Sequence, residues 1–281
     1  MLGHKLCQVL SETHQTFATF RREPPNIPAV FGRTHAINGV DVLDFGTVRD
    51  ALAKVKPDVV VNSVGIVKQH PAAKDPIRSI TVNSLFPHRL SLLCEAQSAL
   101  LVHISTDCVF SGRTGGYTED DLPDPVDLYG KSKLLGEVEG PSALTLRTSI
   151  IGRELTSSLG LVEWFLSQHG RQVAGYTRAI FSGLTTTALG RVLDTLVNSG
   201  TKLRGLWHVS SAPISKYQLL LDINDRFGTG TKVMPDADVR CDRSLQSDRF
   251  WSATGISRPT WSEMIEQLSL DQTYSLRNAS A

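Results

Sequence analysis

An α/β fold built on a doubly wound parallel sheet is predicted by three features of this sequence. Strand-like and helical segments alternate through about residue 150, which is the rhythm of parallel strands joined by helical crossovers. Residues 57–64 (PDVVVNSV) form a β-branched run of the kind buried on both faces of a parallel sheet. The 281 residues suffice for one large α/β domain or two smaller ones.

The elements follow in order. Leu6, Val9 and Leu10 recur at helical spacing, so the chain opens on a helix over residues 3–10, and residues 15–20 (QTFATF) alternate as a strand. Past a loop holding Pro24 and Pro25, residues 39–45 (GVDVLDF) read as a strand, 48–55 as a helix and 57–64 as the buried strand. A long helix is expected over 78–96, a strand over 100–105, a helix over 128–139 and a strand over 143–148. Beyond residue 150 the pattern loosens into helices over 161–168, 187–197, 215–227 and 261–268, with extended segments over 172–176 and 205–209. This predicts a first domain over 1–150 and a smaller lobe over 151–281, some of whose segments return to the first, with residues 278–281 as a frayed tail.

Composition excludes several classes. With 29 Lys plus Arg against 28 Asp plus Glu, the net charge of +1 gives no electrostatic case for nucleic-acid binding. No apolar run approaches the roughly 18–20 residues that span a bilayer. Cys7, Cys94, Cys108 and Cys241 show no CxxC pair and no metal-ligand spacing, so reduced thiols and no metal are expected. The opening MLGHKLCQVL lacks the features of a secretory signal, and a soluble, cytoplasmic protein is expected.

The chemistry concentrates in Tyr129-Gly-Lys-Ser-Lys133. A Tyr and a Lys four apart share one helix face, and an ammonium beside a phenol is expected to lower its pKa, making it a proton donor and acceptor. Upstream, residues 104–110 (ISTDCVF) end a buried strand in hydroxyl and carboxylate groups, where parallel sheets place their sites. Strand-end hydroxyls followed by a Tyr-x-x-x-Lys helix suit a carbonyl reductase. His103, within the apolar strand, reads as a hydrogen-bonded core residue.

Taken together, GVDVLDF (39–45), PDVVVNSVG (57–65), VNSLFP (82–87), ISTDCVFSG (104–112), YTEDDLPDPVDLYGKSKLLGE (117–137), LTLRTSIIG (144–152) and FSGLTT (181–186) resemble the extended short-chain dehydrogenase/reductases. Within that Rossmann-like superfamily they are most similar to the dTDP-4-dehydrorhamnose reductase group. The resemblance implies NADPH-dependent reduction of the 4-keto group of a nucleotide-linked deoxysugar in polysaccharide synthesis. It implies Tyr129 as proton donor, Thr106 as a hydrogen-bonding partner of the carbonyl oxygen, and Lys133 as tuner of Tyr129 and holder of the nicotinamide ribose. Cys108 stands where a 4,6-dehydratase would carry an acid/base Glu.

On the cofactor side the resemblance implies Gly3, Asp44, Phe45, Ser63, Val64, Gly65 and Asn83. Arg21 and Arg22 follow the first strand where a basic pair would hold a 2′-phosphate, favouring NADPH. Asp107, Cys108, Arg147 and Arg243 are expected at the substrate, with Arg243 on its diphosphate; Thr148, Glu154, Trp164, Ser182, Leu184 and Thr185 lie on segments expected to face the cleft. The chain departs from the pattern at its start. It begins Met1-Leu2-Gly3, with only the last glycine of a GxxGxxG turn and without the strand before it, so a cavity or a pair of open strand edges is expected. A late start and a true truncation both fit. A homodimer is compatible with the resemblance, and two other functions stay open: a non-catalytic regulatory subunit, and an epimerase-reductase acting on a UDP-acetamido sugar.

Overall fold

The computed structural model describes residues 1–24, 28–155, 157–271 and 273–274; Pro25 and the 278–281 tail lie outside the described residues. The first half runs α1 (Leu2–Leu10), β1 (Phe17–Phe20), α2 (Pro28–Phe31), β2 (His35–Asn38), α3 (Phe45–Val55), β3 (Val59–Asn62), α4 (Pro76–Ser79), α5 (Phe86–Ala96), β4 (Leu100–Ile104), α6 (Leu128–Leu134) and β5 (Ala143–Arg147). The second half holds β6 (Ile150–Ile151), α7 (Leu161–Leu166), β7 (Gln172–Tyr176), β8 (Ala179–Phe181), β9 (Leu184–Thr185), α8 (Thr186–Asn198) and β10 (Gly205–His208). It ends with β11 (Ile214–Ser215), α9 (Lys216–Phe227), β12 (Lys232–Asp236), β13 (Cys241–Asp242), α10 (Asp248–Thr254) and α11 (Trp261–Ser269).

The fold is α/β with parallel sheets. β3, β4, β5 and β10 make one parallel sheet in the order β10-β5-β4-β3, and β1 pairs with β2 in a second. Three elements differ from expectation. Residues 39–45 are not a strand: the Asp41 carboxylate accepts the Leu43 N–H at 3.0 Å and the Thr47 hydroxyl accepts the Asp41 N–H at 2.9 Å. These local bonds replace a ladder, and Asp44 becomes the cap of α3. The helix expected over 78–96 widens into a π-helical turn at Ile80–Leu85, just before Pro87, whose ring and missing N–H disrupt regular winding there. The helix expected over 128–139 stops at Leu134.

The two parallel pieces share no ladder. A cavity of about 550 Å³ separates β1 from β3, lined also by Leu6 and Leu10 of α1 and by Val48 and Leu52 of α3. Among the described residues, the β1 edge away from β2 and the β3 edge away from β4 pair with no strand. The parallel sheet is interrupted here.

The main core crosses the two halves. Leu2 and Leu6 of α1 pack with Leu144, Leu189, Trp207 and Phe250, so α8, β10 and α10 belong to the sheet's core. Gly190 lets α8 approach α1 closely, since a Cβ there would stand 3.2 Å from a methyl of Val9. A separate cluster around Val162, Phe165, Leu219, Ile223 and Ile265 holds α7, α9 and α11 together beside it.

Candidate active site

The site forms where β4 ends. Leu101, Val102 and Ile104 are buried, and the polar sequence Ser105-Thr106-Asp107 emerges at the strand's carboxyl end. Thr106 Oγ1 accepts the Cys108 N–H at 3.1 Å and caps the short turn Asp107–Val109. Helix α6 seats directly on this turn. A Cβ at Gly130 would stand 2.2 Å from the Cys108 carbonyl oxygen, so a glycine between Tyr129 and Lys133 is what permits the approach. Asp127 caps the helix, accepting the Gly130 N–H at 2.8 Å while pairing with Lys68 at 2.7 Å. Asn83 and Ser84 bond Ser132 at 3.1 and 2.7 Å and fix the other side. These contacts bring the Tyr129 phenol to the Thr106 hydroxyl.

Burial, followed by the nearness of Cys108, pushes the Tyr129 phenol well above its ordinary value; the Thr106 hydroxyl opposes this without cancelling it. The expected lowering by Lys133 is not seen. The Lys133 amine instead donates to the Ile104 carbonyl at 2.7 Å. Burial lowers this ammonium from 10.5 to about 8, against the favourable charge of Glu137. The sign for stability follows: between pH 8 and 10.5 the unfolded chain holds the proton that the folded one has lost, so folding stability rises with pH there. Below pH 8 the cost of the buried ammonium is constant. Urea midpoints are expected to rise across this window more steeply in the native chain than in Lys133→Met; parallel curves would contradict it.

Asp107 and Cys108 lie beside Thr106. Burial raises the Asp107 carboxyl, opposed by the Arg243 guanidinium and by bonds from Cys108, Thr106 and Ser149. Burial and Asp107 push the Cys108 thiol up to about 12, so no thiolate is available near neutral pH. Arg243 is half-buried; its Nε donates to the Phe110 carbonyl at 2.8 Å, and its charge faces Asp107 and Asp127. Arg147 is placed elsewhere. It is buried behind the strand end, held by both oxygens of Glu137 at 2.8 Å and stacked over Phe110 at 5.2 Å, which turns it inward. Thr148 and Ser182 are also buried, and Ser182 accepts the Leu245 N–H at 2.9 Å. Leu184 and Thr185 lie in the core, with Thr185 capping α8, while Glu154 accepts the Gly160 N–H at 2.8 Å and Trp164 is partly exposed.

Of the residues assigned to the cofactor, Gly3, Ser63 and Val64 line the cavity between β1 and β3. Gly3, in the first turn of α1, lies within reach of Ser63, whose hydroxyl would stand 3.5 Å from a Cβ there. Gly65 faces the Asn83 amide, which brackets the chain by accepting the Ile66 N–H at 2.8 Å and donating to its carbonyl at 3.0 Å. Val64 is exposed at the mouth. Asp44 is exposed at the start of α3; Phe45 packs on Phe86 and under Arg89. Arg21 and Arg22 are exposed just past the end of β1. Helix α1 carries no side-chain cap, so its first N–H groups, with Gly3 beside the Ser63 hydroxyl and Gly65 beside Asn83, form an arrangement that fits a phosphate-bearing dinucleotide. Sequence reading missed Glu137, Asn62 and Lys68: their partners lie in other elements, and only β4's polar residues hinted at a buried network.

A family model described as "RmlD substrate binding domain" matches residues 1–273. The chain belongs to this family. It is 31% identical over 225 residues to the probable low-salt glycan biosynthesis reductase Agl14 of Haloferax volcanii, covering 75% of this chain and 71% of that protein. It is 28% identical over 247 residues to methionine adenosyltransferase 2 subunit beta of Danio rerio, covering 76% of each. The solved dTDP-4-dehydrorhamnose reductase of Bacillus anthracis in complex with NADP superposes with a TM-score of 0.74 at 20% identity, over 91% of this chain and 98% of that one, and so shares the fold. No helix among the described residues is long and apolar enough to cross a membrane.

Proposed function

We propose that this family member uses NADPH to reduce the 4-keto group of a nucleotide-linked deoxysugar destined for glycan or polysaccharide synthesis in the cytoplasm. The observation that carries the reading is the meeting of the Tyr129 phenol with Thr106 at the end of β4, with Lys133 one helical turn away. NADPH, when bound, supplies the hydride. Thr106 and Tyr129 hold the carbonyl oxygen, and Tyr129 delivers its proton to that oxygen as charge develops. Because burial keeps the phenol protonated, it stays a neutral O–H donor throughout the neutral range. Gly3, Ser63, Gly65 and Asn83 would hold the cofactor, Lys133 would hold its ribose, and Arg243, beside Asp107 and Cys108, would pair with the substrate's diphosphate. The lobe of α7, α9 and α11 covers the sugar nucleotide.

Arg21 and Arg22 account for the choice of cofactor. Replacing both with Ala should weaken NADPH on the order of 10–100-fold while leaving NADH nearly unchanged. Equal weakening of both in a fluorescence titration would remove that role. The reaction itself is tested by supplying NADPH with dTDP- and UDP-linked 4-keto sugars and identifying the product; a changed configuration without net reduction would indicate an epimerase instead. The relative named as a subunit of methionine adenosyltransferase favours a second reading, a regulatory partner protein. Cofactor binding with no product from any nucleotide sugar would support it.

A further inference from the structure

Asn62 and His103 are register neighbours on β3 and β4, so both side chains stand on the same sheet face, the one that α6 covers. Both are buried, and their bonds have a defined direction. The Asn62 carbonyl oxygen accepts the Val64 N–H at 3.1 Å, which leaves its amide N–H to face His103 Nδ1 at 3.0 Å. Nδ1 is therefore the accepting nitrogen of a neutral ring, and Nε2 carries the hydrogen. That Nε2–H points at Lys133 Nζ, 3.4 Å away, while Nζ donates to the Ile104 carbonyl at 2.7 Å. A neutral amine suits this arrangement, giving one hydrogen to Ile104 and accepting one from His103. An ammonium has no lone pair, and its N–H would confront another.

We propose that Asn62 and His103 are positioning residues for Lys133: Asn62 fixes the imidazole tautomer, and His103 thereby biases Lys133 toward its neutral form. The proposal rests on the assignment of Lys133 to the reductase site. The other groups facing Lys133 are Glu137, on the chain just past α6, which favours its charge, and the Ile104 carbonyl on β4; His88 of α5 adds a weaker influence on His103. Burial keeps the His103 ring uncharged, so its effect is one of hydrogen-bond direction. The consequence for catalysis is a lysine that can gain and lose a proton near neutral pH, as restoring the proton on Tyr129 after each turnover demands.

The test is Asn62→Asp, nearly isosteric and still able to accept the Val64 N–H. Its carboxylate would take a hydrogen from Nδ1, so Nε2 would become an acceptor for the Lys133 ammonium. Nitrogen NMR of the labelled His103 ring should show Nε2–H in the native chain and Nδ1–H in Asn62→Asp. The alkaline limb of kcat/KM and the window in which stability rises with pH should both move up by about one pH unit, a tenfold change in proton concentration. His103→Phe combined with Asn62→Asp should abolish most of that move, because the intermediary is gone. Nδ1–H in the native chain, an unmoved window despite a reversed tautomer, or a full shift in the double variant would each overturn the proposal. If the stability window moves as expected but no nucleotide sugar is reduced, the lysine tuning stands and the reductase reading falls.

Discussion

Replacing Tyr129 with Phe is expected to lower turnover by about 10²–10⁴-fold while leaving NADPH binding within a few-fold of the native chain. In the proposed reaction the phenol gives its proton to a carbonyl oxygen that Thr106 also holds, and Phe keeps the ring while removing that proton. The direction of the phenol's shift adds a second expectation. Because burial raises it, the protonated donor persists to high pH, and ketone reduction should not lose its acid as the solution passes neutrality. Alcohol oxidation by the same enzyme needs the phenolate and should gain rate as pH rises. Steady-state kinetics of Tyr129→Phe and of both reaction directions over pH 6–9 check these points. Retention of more than a tenth of native turnover by Tyr129→Phe would move the proton donor elsewhere.

The strand-helix rhythm made much of the parallel sheet legible in the sequence. A β-branched strand and a Tyr-x-x-x-Lys helix are local signals, and β3, β4 and β5 lie within the segments those signals marked, while α6 starts where expected and ends five residues early. What sequence could not convey were distances between elements. The approach of α6 to the β4 turn depends on Gly130, whose missing Cβ matters only because the Cys108 carbonyl lies 2.2 Å from where it would be. Arg147 shows the same limit from the other side. A lone arginine at a strand end suggests an anion in the cleft, but Glu137, ten residues earlier, reaches it first and draws it into the interior. The sign of the Tyr129 shift was hidden likewise, since spacing puts Lys133 on the phenol's helix face but cannot say that Ile104 captures its amine. At residues 39–45, alternating apolar residues imitated a strand, and Asp41 and Thr47 decided otherwise by bonding their neighbours' backbone.

Removing the Glu137 carboxylate should do the greatest damage to stability. Its two oxygens bind Arg147 Nε and Nη2, and one also accepts the Ser105 hydroxyl at 2.7 Å, so a single side chain ties the segment just past α6 to the ends of β4 and β5. Both members of the ion pair are nearly inaccessible to water. In Glu137→Ala the guanidinium would stay buried against Phe110 and His208 without a counter-charge, which typically costs about 3–5 kcal/mol. Against a total stability of roughly 5–15 kcal/mol that is a large share, and Tm should fall on the order of 10 °C. Glu137→Gln should lose less, because its amide oxygen can still accept one Arg147 bond. The decisive comparison is Glu137→Leu with Arg147→Met, which removes both charges and leaves apolar groups of similar size. If the cost arises from an orphaned charge, the double variant should recover most of the stability that Glu137→Ala loses. If it remains equally unstable, the pair's worth lies in fixing Ser105 and, through it, the turn that carries Thr106; thermal melts read beside turnover then show the two falling together.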